Sequence, residues 1–282
     1  MFLDILLDTA LDALKLLPFL FVTYLLLELL EERLEKRSVS AIHKAGRWGP
    51  VLGGLLGVVP QCGFSAAASN LYAGGVISFG TLLAVFLSTS DEMLPILISA
   101  RADTLLILKI LLVKALAGIL AGFGADALMR RRGLARSRTI HDLCEEEGCR
   151  CEDGVFKSAL RHTLKIFAFL ILVMLALNTA LALLGEDRLA AFILNRPVAG
   201  ELLAGLIGLI PNCAASVVIT QLYLEGGMSA GAMLAGLLTG SGVGLLVLFR
   251  MNRNLKENLR MLGAVYASGV ALGFLAGLLP IF

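Results

Sequence analysis

Long apolar runs alternate with short polar interruptions along this chain, and the interruptions recur in a fixed order. A first unbroken run covers about residues 13–30, close to the roughly 20 residues a helix needs to cross the hydrocarbon layer. The next run is broken in its middle by Pro60-Gln61-Cys62-Gly63, and the one after it by Ser88-Thr89-Ser90-Asp91. A glycine-rich run at about 105–127 follows. Beyond a polar stretch the order returns: an unbroken run at about 163–184, a break at Pro211-Asn212-Cys213-Ala214, a break at Thr239-Gly240-Ser241-Gly242, and a closing run at about 260–280. The expected class is an all-α integral membrane protein. Ahead of the first run, Asp4, Asp8 and Asp12 are spaced like one stripe of a helix. This predicts an amphipathic lead-in at the interface rather than a secretory leader, which would need a basic start and a small-residue cleavage site.

The recurrence is a repeat in register. Sliding the chain by 151 positions aligns Gly57 with Gly208, Pro60 with Pro211, Cys62 with Cys213 and Ser65 with Ser216. The same offset pairs Tyr72 with Tyr223, Gly75 with Gly226, Ser78 with Ser229, Gly80 with Gly231, Ser90 with Ser241, Gly118 with Gly269 and Gly122 with Gly273, without a gap. Leucine matches are cheap in such a sequence; a gap-free register of Pro, Cys, Gly and Tyr is not.

Composition agrees with the membrane assignment. Charged residues make up 16% of the chain and apolar ones 58%, whereas soluble domains carry about 25% charged residues. Net charge is +2, which points to no acidic partner, and no nucleic acid is expected. The five cysteines, at 62, 144, 149, 151 and 213, have no spacing that suggests a disulfide framework. Free thiols or soft-metal ligands are the expectation.

The placement of charge predicts topology. Basic residues gather in 31–47 (Arg33, Lys36, Arg37, Lys44, Arg47), in 129–165 (Arg130, Arg131, Arg132, Arg136, Arg138 and others) and in 250–260 (Arg250, Arg253, Lys256, Arg260). If all three linkers are cytoplasmic, four simple crossings per half are ruled out. The conflict disappears if each Pro-containing segment is a re-entrant helical hairpin that enters and leaves on one side. Each half then has three spanning helices, some broken, plus one hairpin, and the second half is inverted relative to the first. Backbone at membrane depth requires a protein or wet surrounding, and inverted repeats with discontinuous helices suit secondary transport. The expected organisation is a first membrane repeat at 1–128, a cytoplasmic polar linker at 129–160 and a second repeat at 161–282, with both termini extracytoplasmic.

Three groups of residues could carry chemistry. At the two Pro breaks, Gln61, Cys62 and Ser65 match Asn212, Cys213 and Ser216. A helix restarting after proline offers free N–H groups to anions, while the carbonyls ending the preceding helix favour cations. The cysteine pair adds a soft-metal or metalloid option, against the alternative of a kink with cysteine packed as a small hydrophobe. Asn70 and Gln221 follow at equivalent positions, either lining a path or bonding between helices. The second group is Ser88, Ser90, Asp91 and Glu92, with Ser241 opposite. Acids at such depth normally face a cavity, a counter-ion or a transported ion, and carboxylate and hydroxyl oxygens suit hard cations. Gly242-Val243 fills the acids' place in the second half; an ion pair with Lys114, or a Lys114 that snorkels to the interface, is the simpler alternative. The third group is His141, Cys144, Cys149 and Cys151 in the linker, a metal-binding loop or an acidic solvated segment. The glycine pairs Gly118/Gly122 and Gly269/Gly273 fit close helix packing.

Catalysis is not expected. The three histidines, His43, His141 and His162, lie in or beside the basic linkers, and no nucleotide-binding Gly-x-x-x-x-Gly-Lys-Ser/Thr occurs.

The motifs Pro60-Gln61-Cys62-Gly63-Phe64-Ser65 and Pro211-Asn212-Cys213-Ala214-Ala215-Ser216, with Ser88-Thr89-Ser90-Asp91-Glu92 and the Cys/His linker leading into 156–165, resemble the ten-transmembrane heavy-metal exporters. Members of that family are labelled manganese transporters or arsenic efflux proteins. Counting each hairpin as two segments gives five per half, in agreement with ten. The linker here holds His141 as its one histidine, fewer than is usual in the family. The combined expectation is a multi-pass protein of a bacterial-type inner or plasma membrane, acting as a secondary-active transporter without a cofactor. It would export a metal cation, manganese-like, or a metalloid by alternating access. The alternative is a small-anion carrier, for phosphate, another oxyanion or an organic acid, that uses the hairpin helix N-termini and a coupling cation. The expected partners are a small inorganic ion or metalloid as substrate and the lipid bilayer; a homodimer is allowed.

Overall fold

Every interruption in the apolar pattern ends a helix. The computed structural model describes residues 11, 14, 17, 18, 21, 22, 25, 48–59, 62–90, 93–132, 155–184, 199–211 and 213–278. Among the described residues the continuous helices are α1 (Gly49–Gly57), α2 (Cys62–Ala73), α3 (Phe79–Ser88), α4 (Met93–Ser99), α5 (Thr104–Arg131), α6 (Val155–Leu184), α7 (Ala199–Gly208), α8 (Cys213–Leu224), α9 (Ala230–Thr239), α10 (Gly244–Met251) and α11 (Leu255–Leu278). Among the described residues there is no strand. Of the first apolar run, Leu14, Leu17, Pro18, Phe21, Val22 and Leu25 are described, and all are helical.

The 151-residue offset extends to the backbone. α2 and α8 match at both ends, as do α3 and α9, while α4 and α10, and α5 and α11, match at their starts. The turn into the third helix is built identically. Gly75 and Gly226 take φ of 73° and 75°, a left-handed conformation that favours glycine. Ser78 and Ser229 then cap the next helix, each accepting a backbone N–H, from Thr81 and from Ala232.

Among the described residues, five stretches are long and apolar enough to cross a membrane: Phe79–Ser99, Thr104–Arg131, Ala159–Ala176, Ala230–Met251 and Leu255–Leu278. The two interrupted stretches, α3–α4 and α9–α10, are 75% and 83% buried within the protein, against 33%, 29% and 28% for the unbroken ones. Broken helices therefore form the centre, where protein can satisfy their loose backbone groups, and the unbroken helices face outward. Leu105, Leu108, Leu112, Leu116 and Leu120 on α5 are accordingly exposed.

Small residues fix how the helices run. On α1, Gly53 abuts Thr81 and Gly57 abuts Val85 and Ser88, so α1 and α3 point the same way. On α5, Gly118 meets Ala84 and Gly122 meets Gly80, so α5 runs opposite to α3. Tyr72 stacks edge-on against Phe79 at 6.3 Å, while Ser65 and Phe86 both touch Gly244, so α2 also runs opposite to α3. The second repeat follows suit: Gly208 meets Gly236, and Gly273 meets Ala235. Between repeats the pairing is exchanged, with α2 packed on α10 and α4 on α8.

Three helices are longer than the apolar runs predict. α5 continues to Arg131 and carries Arg130 and Arg131 in its last turn, where cations are favoured by the carbonyl end of the helix. α6 starts at Val155, and α11 starts at Leu255. Polar ends extend a membrane helix into the interface, and a hydrophobicity pattern cannot mark where they stop.

Candidate functional site

Polar side chains collect where the interrupted helices end. Ser88, Thr89 and Ser90 close α3 and are all buried. Ser88 Oγ donates to Ala84 O at 2.8 Å, and Thr89 Oγ1 donates to Val85 O at 2.7 Å. Ser90 Oγ reaches Ser88 O at 3.3 Å. Bonding back onto the preceding turn satisfies a buried hydroxyl. Thr239, which closes α9, does the same to Ala235 O at 3.0 Å. Ser241, two residues on, is 1% exposed, and its Oγ has no hydrogen-bond partner among the described residues.

α2 brings a second set to the same place. Ser65, Ser69 and Asn70 are fully buried. Ser69 Oγ lies 2.9 Å from Ser65 O and 2.7 Å from Gly244 O, so its one proton can serve its own helix or the opening carbonyl of α10 in the other repeat. The approach depends on Gly244 having no side chain. A β-carbon there would fall 2.7 Å from both Ser65 Cβ and Phe86 Cε1.

Lys114 completes the centre. It is 1% exposed, and its Nζ donates to Thr89 O at 2.5 Å and to Leu237 O at 2.8 Å. The residue therefore does not snorkel to an interface. One ammonium joins the carbonyl end of α3 to that of α9, across the two repeats. Its counterpart on α11 is Val265, so the cation is unique to the first repeat.

Two carboxylates lie at the N-terminal ends of α3 and α9. Asp126 on α5 accepts Ser78 Oγ and the Gly80 N–H, each at 2.7 Å. An anion is favoured at a helix N-terminus, here that of α3. The second repeat has Gly277 at the matching position. It brings Glu201 of α7 instead, whose Oε1 sits beside Gly231 at the start of α9. Glu201 is also buried. Its Oε2 has no hydrogen-bond partner among the described residues.

The residues expected from sequence are placed as follows. Ser65, Asn70, Ser88, Ser90 and Ser241 are buried, Ser216 is half-buried, and Gln221 is exposed on α8. Cys62 and Cys213 are the first residues of α2 and α8, but their side chains lie outside the described residues. Gln61, Asn212, Asp91, Glu92, His141, Cys144, Cys149 and Cys151 also lie outside them. Among the described residues, no three His, Cys, Asp or Glu side chains gather at one point. Sequence reasoning passed over Ser69, Asp126 and Glu201. Ser69 had a usable signal: it lies one helical turn after Ser65, and the 151 offset pairs it with Thr220, whose Oγ1 donates to Ser216 O at 2.7 Å.

This is a multi-pass, all-α membrane protein whose interrupted central helices meet at a hydroxyl-lined junction, an architecture associated with membrane transport. The family described as "Putative, 10TM heavy-metal exporter" matches residues 2–183, about two thirds of the chain, and the chain belongs to that family. No match was found among curated proteins or among solved structures.

Proposed function

We propose that the protein is a secondary-active exporter of a metal cation, manganese-like, or of a metalloid, working by alternating access around the junction of its broken helices. The observation that carries this is the meeting of helix ends from both repeats, through Ser69 on Gly244 O and Lys114 on Thr89 O and Leu237 O. Gln61, Cys62, Ser65, Asn70, Asn212, Cys213, Ser216 and Gln221 form the substrate path in this proposal, with Ser88, Ser90 and Ser241 beside it. Asp91 and Glu92 take a cation or the coupling ion. Thiols suit soft metals, and carboxylate and hydroxyl oxygens suit harder ones.

The α1–α2 and α7–α8 pairs act as re-entrant hairpins, and the repeats are inverted. Three things support this. At 1.5 Å per residue, α1 and α2, of 9 and 12 residues, are about 14 and 18 Å long, short of the roughly 30 Å hydrocarbon core. α1 and α2 also run in opposite directions. Basic residues in all three linkers then require an odd number of crossings per repeat.

Uptake into proteoliposomes of Mn²⁺, Zn²⁺, arsenite and phosphate, with and without a pH gradient, tests the proposal. Transport of a metal or of arsenite supports it. Transport of phosphate alone would instead select an anion carrier using the helix N-termini, and no transport of any of the four would sink both.

A further inference from the structure

We infer that the carbonyl ends of α3 and α9 form a cation site between the two repeats, and that Lys114 is its permanently tethered occupant. α3 and α9 each stop inside the protein, and beyond the carbonyls already bonded by Thr89, Gly240 and their own closing hydroxyls, each leaves a terminal carbonyl with no following turn to donate to it. A helix C-terminus carries the equivalent of about half a negative charge. Two such ends facing one another repel unless a cation lies between them. The Lys114 ammonium lies there, donating to Thr89 O at the end of α3 and to Leu237 O in the last turn of α9. It stands on α5 about 15 Å from the first residue of that helix, about a third of the way along its 28 residues. At 1% exposure, holding a charge there is costly unless it is hydrogen-bonded and compensated. Charge-assisted bonds to two carbonyls at two helix ends contribute to that compensation.

The asymmetry of the repeats supports the same conclusion. The two repeats keep their register without a gap through these helices, and the position matching Lys114 holds Val265. One ammonium that touches both repeats serves both helix ends, and a second would restore the repulsion. The ligand class follows from the bonds made: a small monovalent cation with N–H donors, of the size of an ammonium or methylammonium ion. This inference does not depend on what the protein transports.

Lys114→Ala opens the site by removing the tether. The test is the thermal unfolding midpoint of detergent-purified protein, followed by circular dichroism, in methylammonium, ammonium or tetramethylammonium chloride at equal ionic strength. The variant is expected to lose roughly 5 °C or more relative to wild type in tetramethylammonium. Methylammonium and ammonium should recover most of that loss saturably, and wild type should respond equally to all three salts. Lys114→Met, which keeps the stem but fills the space, should stay low in every salt. Recovery by tetramethylammonium, which has the charge but no N–H, would overturn the inference. So would an equal salt response in wild type and Lys114→Ala, or wild-type stability of Lys114→Met. If Lys114→Ala fails to fold in the absence of added amine, it should fold when purified throughout in methylammonium; failure there as well would also overturn it.

Discussion

Gly244→Ala probes the junction directly, because the close approach of α2 to α10 depends on one missing methyl group. A β-carbon at this position would lie 2.7 Å from Phe86 Cε1, 2.7 Å from Ser65 Cβ and 2.9 Å from Ser65 Oγ. All are well inside van der Waals contact, and Ser65 Cβ cannot swing away because it is fixed to the α2 backbone. Three close contacts mean that α2 and α10 must move apart, and overpacking of this kind costs about 1–3 kcal/mol. Alanine gains up to about 1 kcal/mol in helix propensity over glycine, so the net expectation is a destabilisation of about 1–2 kcal/mol. Gly263→Ala on α11 is the matched control, since nothing lies within 4 Å of its would-be β-carbon; it should gain up to about 1 kcal/mol from propensity alone. Thermal unfolding of the two variants in one detergent should therefore move in opposite directions, Gly244→Ala down by a few degrees and Gly263→Ala slightly up. If Gly244→Ala were as stable as Gly263→Ala, the close approach of Ser65 and Phe86 to α10 would be wrong, and the junction with it.

Three other outcomes follow from the same geometry. Ser69→Ala removes a donor to Gly244 O and should cost about 1–2 kcal/mol in the unfolding midpoint; an unchanged midpoint would mean that Ser69 does not tie the repeats together. Asp126→Ala strips the anion from the start of α3 and frees Ser78 Oγ and the Gly80 N–H. It should lose roughly 2 kcal/mol or more, with Asp126→Asn intermediate, and the ranking is checked by denaturation of the three proteins side by side. Replacing both Cys62 and Cys213 with serine should abolish soft-metal or arsenite uptake in proteoliposomes at unchanged protein yield. Full retention of that uptake would remove the thiols from the proposed site.

Much of the helix plan was legible because each break carries its own chemistry. Proline at 60 and 211 removes a helix donor, and Gly75 and Gly226 take a backbone conformation that favours glycine. The polar runs at 88–91 and 239–242 are the poorest helix formers in their neighbourhoods. The 151-residue register sharpened these into two copies of one unit, down to the serine caps at 78 and 229. Lys114 resisted such treatment. Its side chain can reach an interface, an acid or a carbonyl from the same backbone position, and only the partners in space select among these. Glu201 resisted for a different reason. It sits opposite Pro50 in the repeat register, so pattern matching marks it as divergence, whereas in space its Oε1 lies beside the start of α9.

The sequence by itself determined the membrane setting, the duplication and the points at which helices must stop, because these depend on local composition and on backbone chemistry that acts within a few residues. Tertiary structure alone decided how the stopped ends meet. Contacts such as Ser69 with Gly244, or Lys114 with Leu237, join residues more than a hundred positions apart. Their partners are set by packing of small residues and by the need to satisfy loose carbonyls away from water, and no spacing along the chain encodes which carbonyl a given side chain will find.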